Sequence, residues 1–117
     1  MITIYHNPRC SKSRAACELV SASTANEPVE VIEYLKEPLT VDQLQALHAM
    51  LGGPLLDMIR TGETEYTELG LDALGVTDDQ LYEAIVRHPI LLQRPIVVRD
   101  GRAVIGRPTE NVAALLG

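Results

Sequence analysis

The sequence contains no phenylalanine and no tryptophan, and four tyrosines make up its aromatic content. Its core must therefore be aliphatic, and stacking on single-stranded nucleic acid has little to work with. Positive charge is also short. Ten Lys and Arg stand against sixteen Asp and Glu, for a formal charge of −6, which argues against a nucleic-acid surface. Two cysteines are too few for a disulfide scaffold, and in a reducing compartment they are reactive or buried rather than bridged. No apolar run reaches the length of a membrane span, and the opening lacks a basic segment followed by an apolar signal region. The expectation is a cytoplasmic monomer with no membrane and no nucleic-acid partner. At 117 residues, 46% of them apolar, the chain reads as one domain (1–117) with a single sizeable core.

What is present is concentrated at the start. Ile2-Thr3-Ile4-Tyr5 reads as a buried strand, Asn7-Pro8 as a turn, and the residues after Cys10 as a helix start. Unpaired backbone N–H groups at such a start favour negative charge. They lower a thiol pKa and offer an anion site. Arg9, Lys12 and Arg14 flank the sulfur in sequence, and His6 precedes it. A thiolate nucleophile that meets an anion is the leading reading. Because the whole chain is acidic, an anionic substrate would have to be held at short range by local arginines.

The remaining elements follow in order. Ser11–Ser23 carries Ala15, Ala16, Leu19 and Val20 at helical spacing, then comes a polar break, Ser21–Pro28, and Val29-Glu30-Val31-Ile32 reads as a second strand. Strand, helix, strand makes a right-handed βαβ unit with parallel strands. It sets Cys10 at the C-terminal edge of the first strand, where open α/β sheets keep ligand sites. From Lys36 to Pro89 the pattern is helical. Capping boxes at Thr40/Gln43 and Thr77/Gln80 open two helices. Val41, Leu44, Leu47 and Leu51 stripe the first, which Gly52-Gly53-Pro54 ends; Leu81, Ile85 and Val86 lie on one side of the second, which His88-Pro89 closes. The acidic cluster Glu63–Glu68 reads as a solvated loop. Asp100-Gly101 joins Ile96–Arg99 to Arg102–Ile105 as a hairpin, and Pro108 opens a last helix carrying Val112, Leu115 and Leu116. The fold class expected is α/β: a thioredoxin-like mixed four-stranded sheet, βαβ plus ββα, with a helical insertion at about 38–89 between the halves. That layout demands a cis proline at Arg94-Pro95, just before the third strand.

The loop His6-Asn7-Pro8-Arg9-Cys10-Ser11-Lys12-Ser13-Arg14 resembles the signature loop of the glutaredoxin-coupled arsenate reductases. Met58 to Leu71, with Arg60, Tyr66 and Leu69-Gly70, is similar to a second segment of that family. His88 to Val98 and Ile105-Gly106-Arg107-Pro108 match further ones, so the resemblance covers essentially the whole chain. It implies Cys10 as nucleophile, His6 and Ser13 as its helpers, and Arg60, Arg94 and Arg107 as oxyanion-binding residues. It implies reduction of arsenate to arsenite, with glutathione as co-substrate and glutaredoxin as partner. Planar guanidinium forks suit a tetrahedral oxyanion and offset its repulsion from a thiolate. Sister proteins with Cys-x-x-Cys are redox-switched regulators; this chain has Ser13 where their second cysteine would stand. With no resolving cysteine beside Cys10, an external thiol is needed, and no bound metal or organic cofactor is required.

Plainer readings stand beside these. His6 is either a turn residue satisfied by backbone or, as an imidazolium, an aid to the thiolate. Ser13 is either a first-turn residue donating to backbone or a neighbour of the sulfur. Cys17 reads as a packed core thiol, out of disulfide reach of Cys10 along a helix, and His6, Cys10 and Cys17 lack zinc-site spacing. His48 and His88 read as structural, and Arg9, Lys12 and Arg14 as shaping local potential or contacting glutathione. Two rival functions are a glutathione-dependent thiol–disulfide oxidoreductase, which needs Cys10 but not all three arginines, and a redox-linked protein-binding regulator.

Overall fold

The computed structural model describes residues 1–23 and 27–116, which form two compact units: Met1–Glu37 with Arg94–Gly117, and Pro38–Gln93. The first unit is a four-stranded mixed sheet in the order β2-β1-β3-β4, with β1 Ile2–His6, β2 Val29–Glu33, β3 Ile96–Arg99 and β4 Arg102–Ile105. β1 runs parallel to β2 and antiparallel to β3, and β3 is antiparallel to β4. This is the expected thioredoxin-type sheet. Helices α1 (Ser11–Ser23) and α5 (Glu110–Leu116) complete it.

Alternation along β1 turns Ile2 and Ile4 to one face, where they pack with Val97, Ala16 and Val20 of α1, and Val112 and Leu115 of α5. Each isoleucine, valine or leucine among them contributes about 1.5–3 kcal/mol on full burial. The β3–β4 turn has positive φ at both Asp100 (51°) and Gly101 (76°), the backbone a two-residue hairpin needs to match strand twist. Arg99 ties the end of β3 to the end of α5, donating to the Leu116 carbonyl at 2.9 Å and pairing with Glu27 at 3.0 Å.

Several element boundaries differ from those expected. Helix α1 fills the expected span Ser11–Ser23, so Ser21–Ser23, also read as the start of the polar break, is helical, because two serines lower helix propensity without stopping a helix already nucleated. Residues 24–26 of that break lie outside the described residues. The last helix opens at Glu110 rather than at Pro108. The Thr109 carbonyl takes the N–H of Val112 at 2.9 Å, so the capping position falls to a threonine. Pro108 sits in the preceding bend, after a cis bond to Arg107; Arg94-Pro95 is cis as expected.

In the second unit both capping boxes form, Thr40 with Gln43 ahead of α2 (Val41–Leu51) and Thr77 with Gln80 ahead of α4 (Asp78–Arg87). The buried face of α4 includes Tyr82 and Ala84 besides Leu81 and Ile85. His48 is structural: its Nδ1 lies 2.6 Å from the Tyr82 hydroxyl and its Nε2 2.9 Å from the Gly53 carbonyl. The Glu63–Glu68 cluster is a short helix, α3 (Thr64–Glu68), not a loop, although none of its residues is buried. The unit extends past Pro89 to Gln93, because Ile59 bridges Leu92 and the Gln93 N–H reaches the Met58 carbonyl at 2.7 Å. Among the described residues no helix is long and apolar enough to cross a membrane.

Candidate active site

β1 ends at His6, and the chain turns at once. The Cys10 N–H donates to the Asn7 carbonyl at 3.0 Å, closing a turn around Pro8 and Arg9, while Asn7 Oδ1 accepts the Arg9 N–H at 3.0 Å. Proline presets the first central φ of such a turn, and asparagine reproduces a backbone turn with its own side chain. Asn7 is buried, so this turn is fixed rather than draped over the surface.

Cys10 then occupies the N-cap position of α1. Its carbonyl accepts the Arg14 N–H at 3.0 Å, the first bond of the helix. Its sulfur stands where a serine or aspartate oxygen would cap, and receives the backbone N–H groups of Ser13 and Lys12. Burial by itself pushes this thiol up. The Ser13 N–H, the Arg94 side chain, the Lys12 N–H and the charge of Arg107 outweigh burial and hold it below the usual thiol range. Arg107 Nη2 donates to Cys10 Sγ at 3.3 Å.

The two arginines come from either end of the β3–β4 hairpin and are locked to each other. Arg107 Nε donates to the Arg94 carbonyl at 2.7 Å, and the Gly106 N–H to the Pro95 carbonyl at 2.9 Å. A Cβ on Gly106 would lie 2.7 Å from Pro95 Cγ and 3.0 Å from Val112 Cγ2, so only glycine lets these segments approach so closely.

His6 and Ser13 meet each other. Ser13 is fully buried; its hydroxyl accepts the Asn7 N–H at 3.0 Å and lies 2.6 Å from His6 Nδ1. The Ser13 hydroxyl thus joins the Asn7 backbone to the His6 ring at the end of β1. Burial lowers the His6 pKa, the Glu33 carboxylate opposes that, and Arg14 adds to it, for a net lowering. The ring braces the first turn of α1 through Ser13. Cys17 Sγ also lies 3.5 Å from His6 Nδ1. Cys17 packs against the core and burial raises its pKa; both cysteines are free. Arg14 Nη1 donates to the Pro8 carbonyl at 2.9 Å, supporting the turn from outside.

Arg60 belongs to the second unit, where its Nε meets Glu63 Oε1 at 3.0 Å and its Nη1 meets Gln93 Oε1 at 3.3 Å. Two contributors were missed in the sequence: Asn7, read only as a turn former, and Gly106. Asn-Pro beside a cysteine was a usable signal for the first, while nothing local marks the second. Among the described residues no cluster of His, Cys, Asp and Glu is arranged to hold a metal. The assembled group can hold a thiolate and present guanidinium and backbone donors to an oxyanion beside it.

A family model described as the ArsC family matches residues 5–115. The chain is 44% identical over 116 residues to a Neisseria meningitidis protein named arsenate reductase, covering 98% of this chain and 97% of that one. It is 42% identical to the arsenate reductase of Escherichia coli strain K12, covering 98% of this chain and 80% of the relative. A solved structure, an arsenate reductase from Vibrio cholerae, superposes with a TM-score of 0.91 at 39% identity, covering 97% of this chain and 95% of that one.

Proposed function

This chain belongs to the ArsC family, and on that footing we propose that it reduces arsenate to arsenite through the Cys10 thiolate, with glutathione and glutaredoxin supplying the electrons. The observation that carries the reading is the sulfur of Cys10, capped by the Lys12 and Ser13 N–H groups and held by Arg94 and by Arg107 at 3.3 Å.

The Cys10 thiolate attacks arsenic and displaces one arsenate oxygen as water or hydroxide, forming an S–As bond. The guanidinium groups of Arg94 and Arg107 neutralise the oxyanion as two negative species approach. A glutathione thiolate then attacks the Cys10 sulfur. An S–S bond forms, the S–As electron pair passes to arsenic, and arsenic leaves in the trivalent state. A glutaredoxin thiol takes the glutathione from the mixed disulfide and returns Cys10 as a thiolate. Ser13 in place of a second cysteine supports the need for an external thiol. His6 acts as a positioning residue through Ser13. Arg60 is carried as a further arsenate ligand on the resemblance, and the kinetics of Arg60→Ala test it: a raised KM for arsenate is expected, and an unchanged KM removes the assignment.

The test is arsenate-dependent NADPH consumption in an assay containing glutathione, glutaredoxin and glutathione reductase. Turnover that disappears in Cys10→Ser supports the reading. Turnover with mixed disulfides and none with arsenate replaces it with a general thiol–disulfide oxidoreductase.

A further inference from the structure

Next to the Cys10 turn lies a cleft of about 300 Å³ that the arsenate chemistry does not use, lined by Asn7, Pro8, Arg9, Glu33, Leu35 and Lys36. It sits where the parallel strands β1 and β2 both end, at the register pair His6 and Glu33. Parallel strands keep ligand sites outside their carboxyl ends. Both walls are built backbone: the Asn7–Cys10 turn on one side, and on the other a turn in which the N–H groups of Lys36 and Glu37 reach the Glu33 carbonyl at 2.9 and 3.0 Å.

The lining is chemically mixed in a particular way. Glu33 and Lys36 form an ion pair at 3.6 Å, with side chains 39% and 77% exposed. A pair so exposed and so long is worth little, so it opens to new partners at small cost. Opened, it offers one carboxylate and one ammonium, with Arg9 as a second cation. Leu35, 39% exposed, and Pro8 supply apolar floor. One anionic group facing two cationic ones suits a zwitterion with an excess of carboxylate, not a simple anion.

We propose that this cleft seats the amino-acid end of the thiol co-substrate, Glu33 receiving its ammonium and Lys36 and Arg9 its carboxylates, with the peptide lying over Pro8 and Leu35. This rests on the reading above that an external peptide thiol, glutathione, serves Cys10. It assigns that thiol a seat beginning one residue before the cysteine it must reach, on the β2 side of the turn, whereas Arg94 and Arg107 approach from the β3–β4 hairpin.

The probe is S-methylglutathione, which keeps every charge of glutathione and cannot react. Titrated into the full-length protein and followed by amide NMR, it should shift Arg9, Leu35 and Lys36 more than residues of α5. Its affinity should fall about tenfold in Glu33→Gln/Lys36→Gln, the size expected for two charge-assisted contacts at a wet surface. The same variant should lower the ratio of kcat/KM with glutathione to kcat/KM with 2-mercaptoethanol, which lacks the charges, by a similar factor. Both side chains are exposed, and the amide spectrum itself verifies that the variant is folded. Shifts confined to other surfaces, or an unchanged ratio, overturn the subsite. If wild-type turnover depends on glutathione and the cleft still does not respond, the subsite fails while the function stands. If no arsenate turnover occurs with glutathione, the function fails, and the NMR map reports on the cleft independently.

Discussion

Cys10 at the N-cap of α1 and Cys17 within that helix are both half-buried, and their acidities move in opposite directions. Burial pushes each thiol up. At Cys17 nothing resists it, since the backbone N–H groups around it are already spent inside α1. At Cys10 the N–H groups of Ser13 and Lys12 are unspent, and Arg94 and Arg107 are brought in by a hairpin far along the chain. Position on the helix and access to donors, rather than exposure, separate a reactive thiol from a packing one.

The largest break in this comparison is removal of the sulfur. Cys10→Ser should cut arsenate turnover on the order of 10³-fold or more, because no other nucleophile is placed there. Cys17→Ser should stay within about twofold, a range that keeps packing and chemistry apart. Comparable losses in both would dissolve the distinction. Next in size is Arg107→Ala. Arg107 donates to the sulfur and its charge favours the thiolate, so the Cys10 pKa should rise when it is removed. The pH profile of iodoacetamide alkylation reads this directly. Arg107→Lys should recover only part, since the charge returns without the fork.

Ser13→Ala removes an acceptor from the buried Asn7 N–H and a partner from His6. We expect a loss of about 1–3 kcal/mol in urea unfolding, with a smaller change in Cys10 acidity than Arg107→Ala gives, because the Ser13 backbone N–H remains. An unaltered midpoint would show that the His6–Ser13 bond does not brace the turn. The smallest effect tests capping itself. Thr40 and Thr77 cap with oxygen what Cys10 caps with sulfur, and Thr77→Ala should cost about 1 kcal/mol of stability.

Much of this was legible because it rests on local rules. The strand Ile2–His6, the helix Ser11–Ser23, both capping boxes and the Asp100-Gly101 turn are written in neighbouring residues. The cis bond at Arg94-Pro95 followed from topology. What stayed hidden has no periodic signature. Helix α3 buries nothing, so it has no apolar stripe to read. Pro108 next to Thr109 offers two plausible helix openings, and only the hydrogen bonds decide between them. At the site, Cys10 and its helix start were visible. That His6 engages Ser13, and that Gly106 is demanded by Pro95 and Val112, were not. Those facts depend on residues that meet only after the sheet has formed.

The most direct test is the titration of the Cys10 thiolate in the Cys17→Ser background, followed by ultraviolet absorbance and by alkylation rate. A lowered pKa means that the thiolate, and with it the alkylation rate, reaches half-maximum at lower pH. The expected midpoint lies below that of an ordinary cysteine thiol and moves upward in Arg107→Ala. A midpoint at or above that of an ordinary thiol, unmoved by loss of the arginine, would contradict the account.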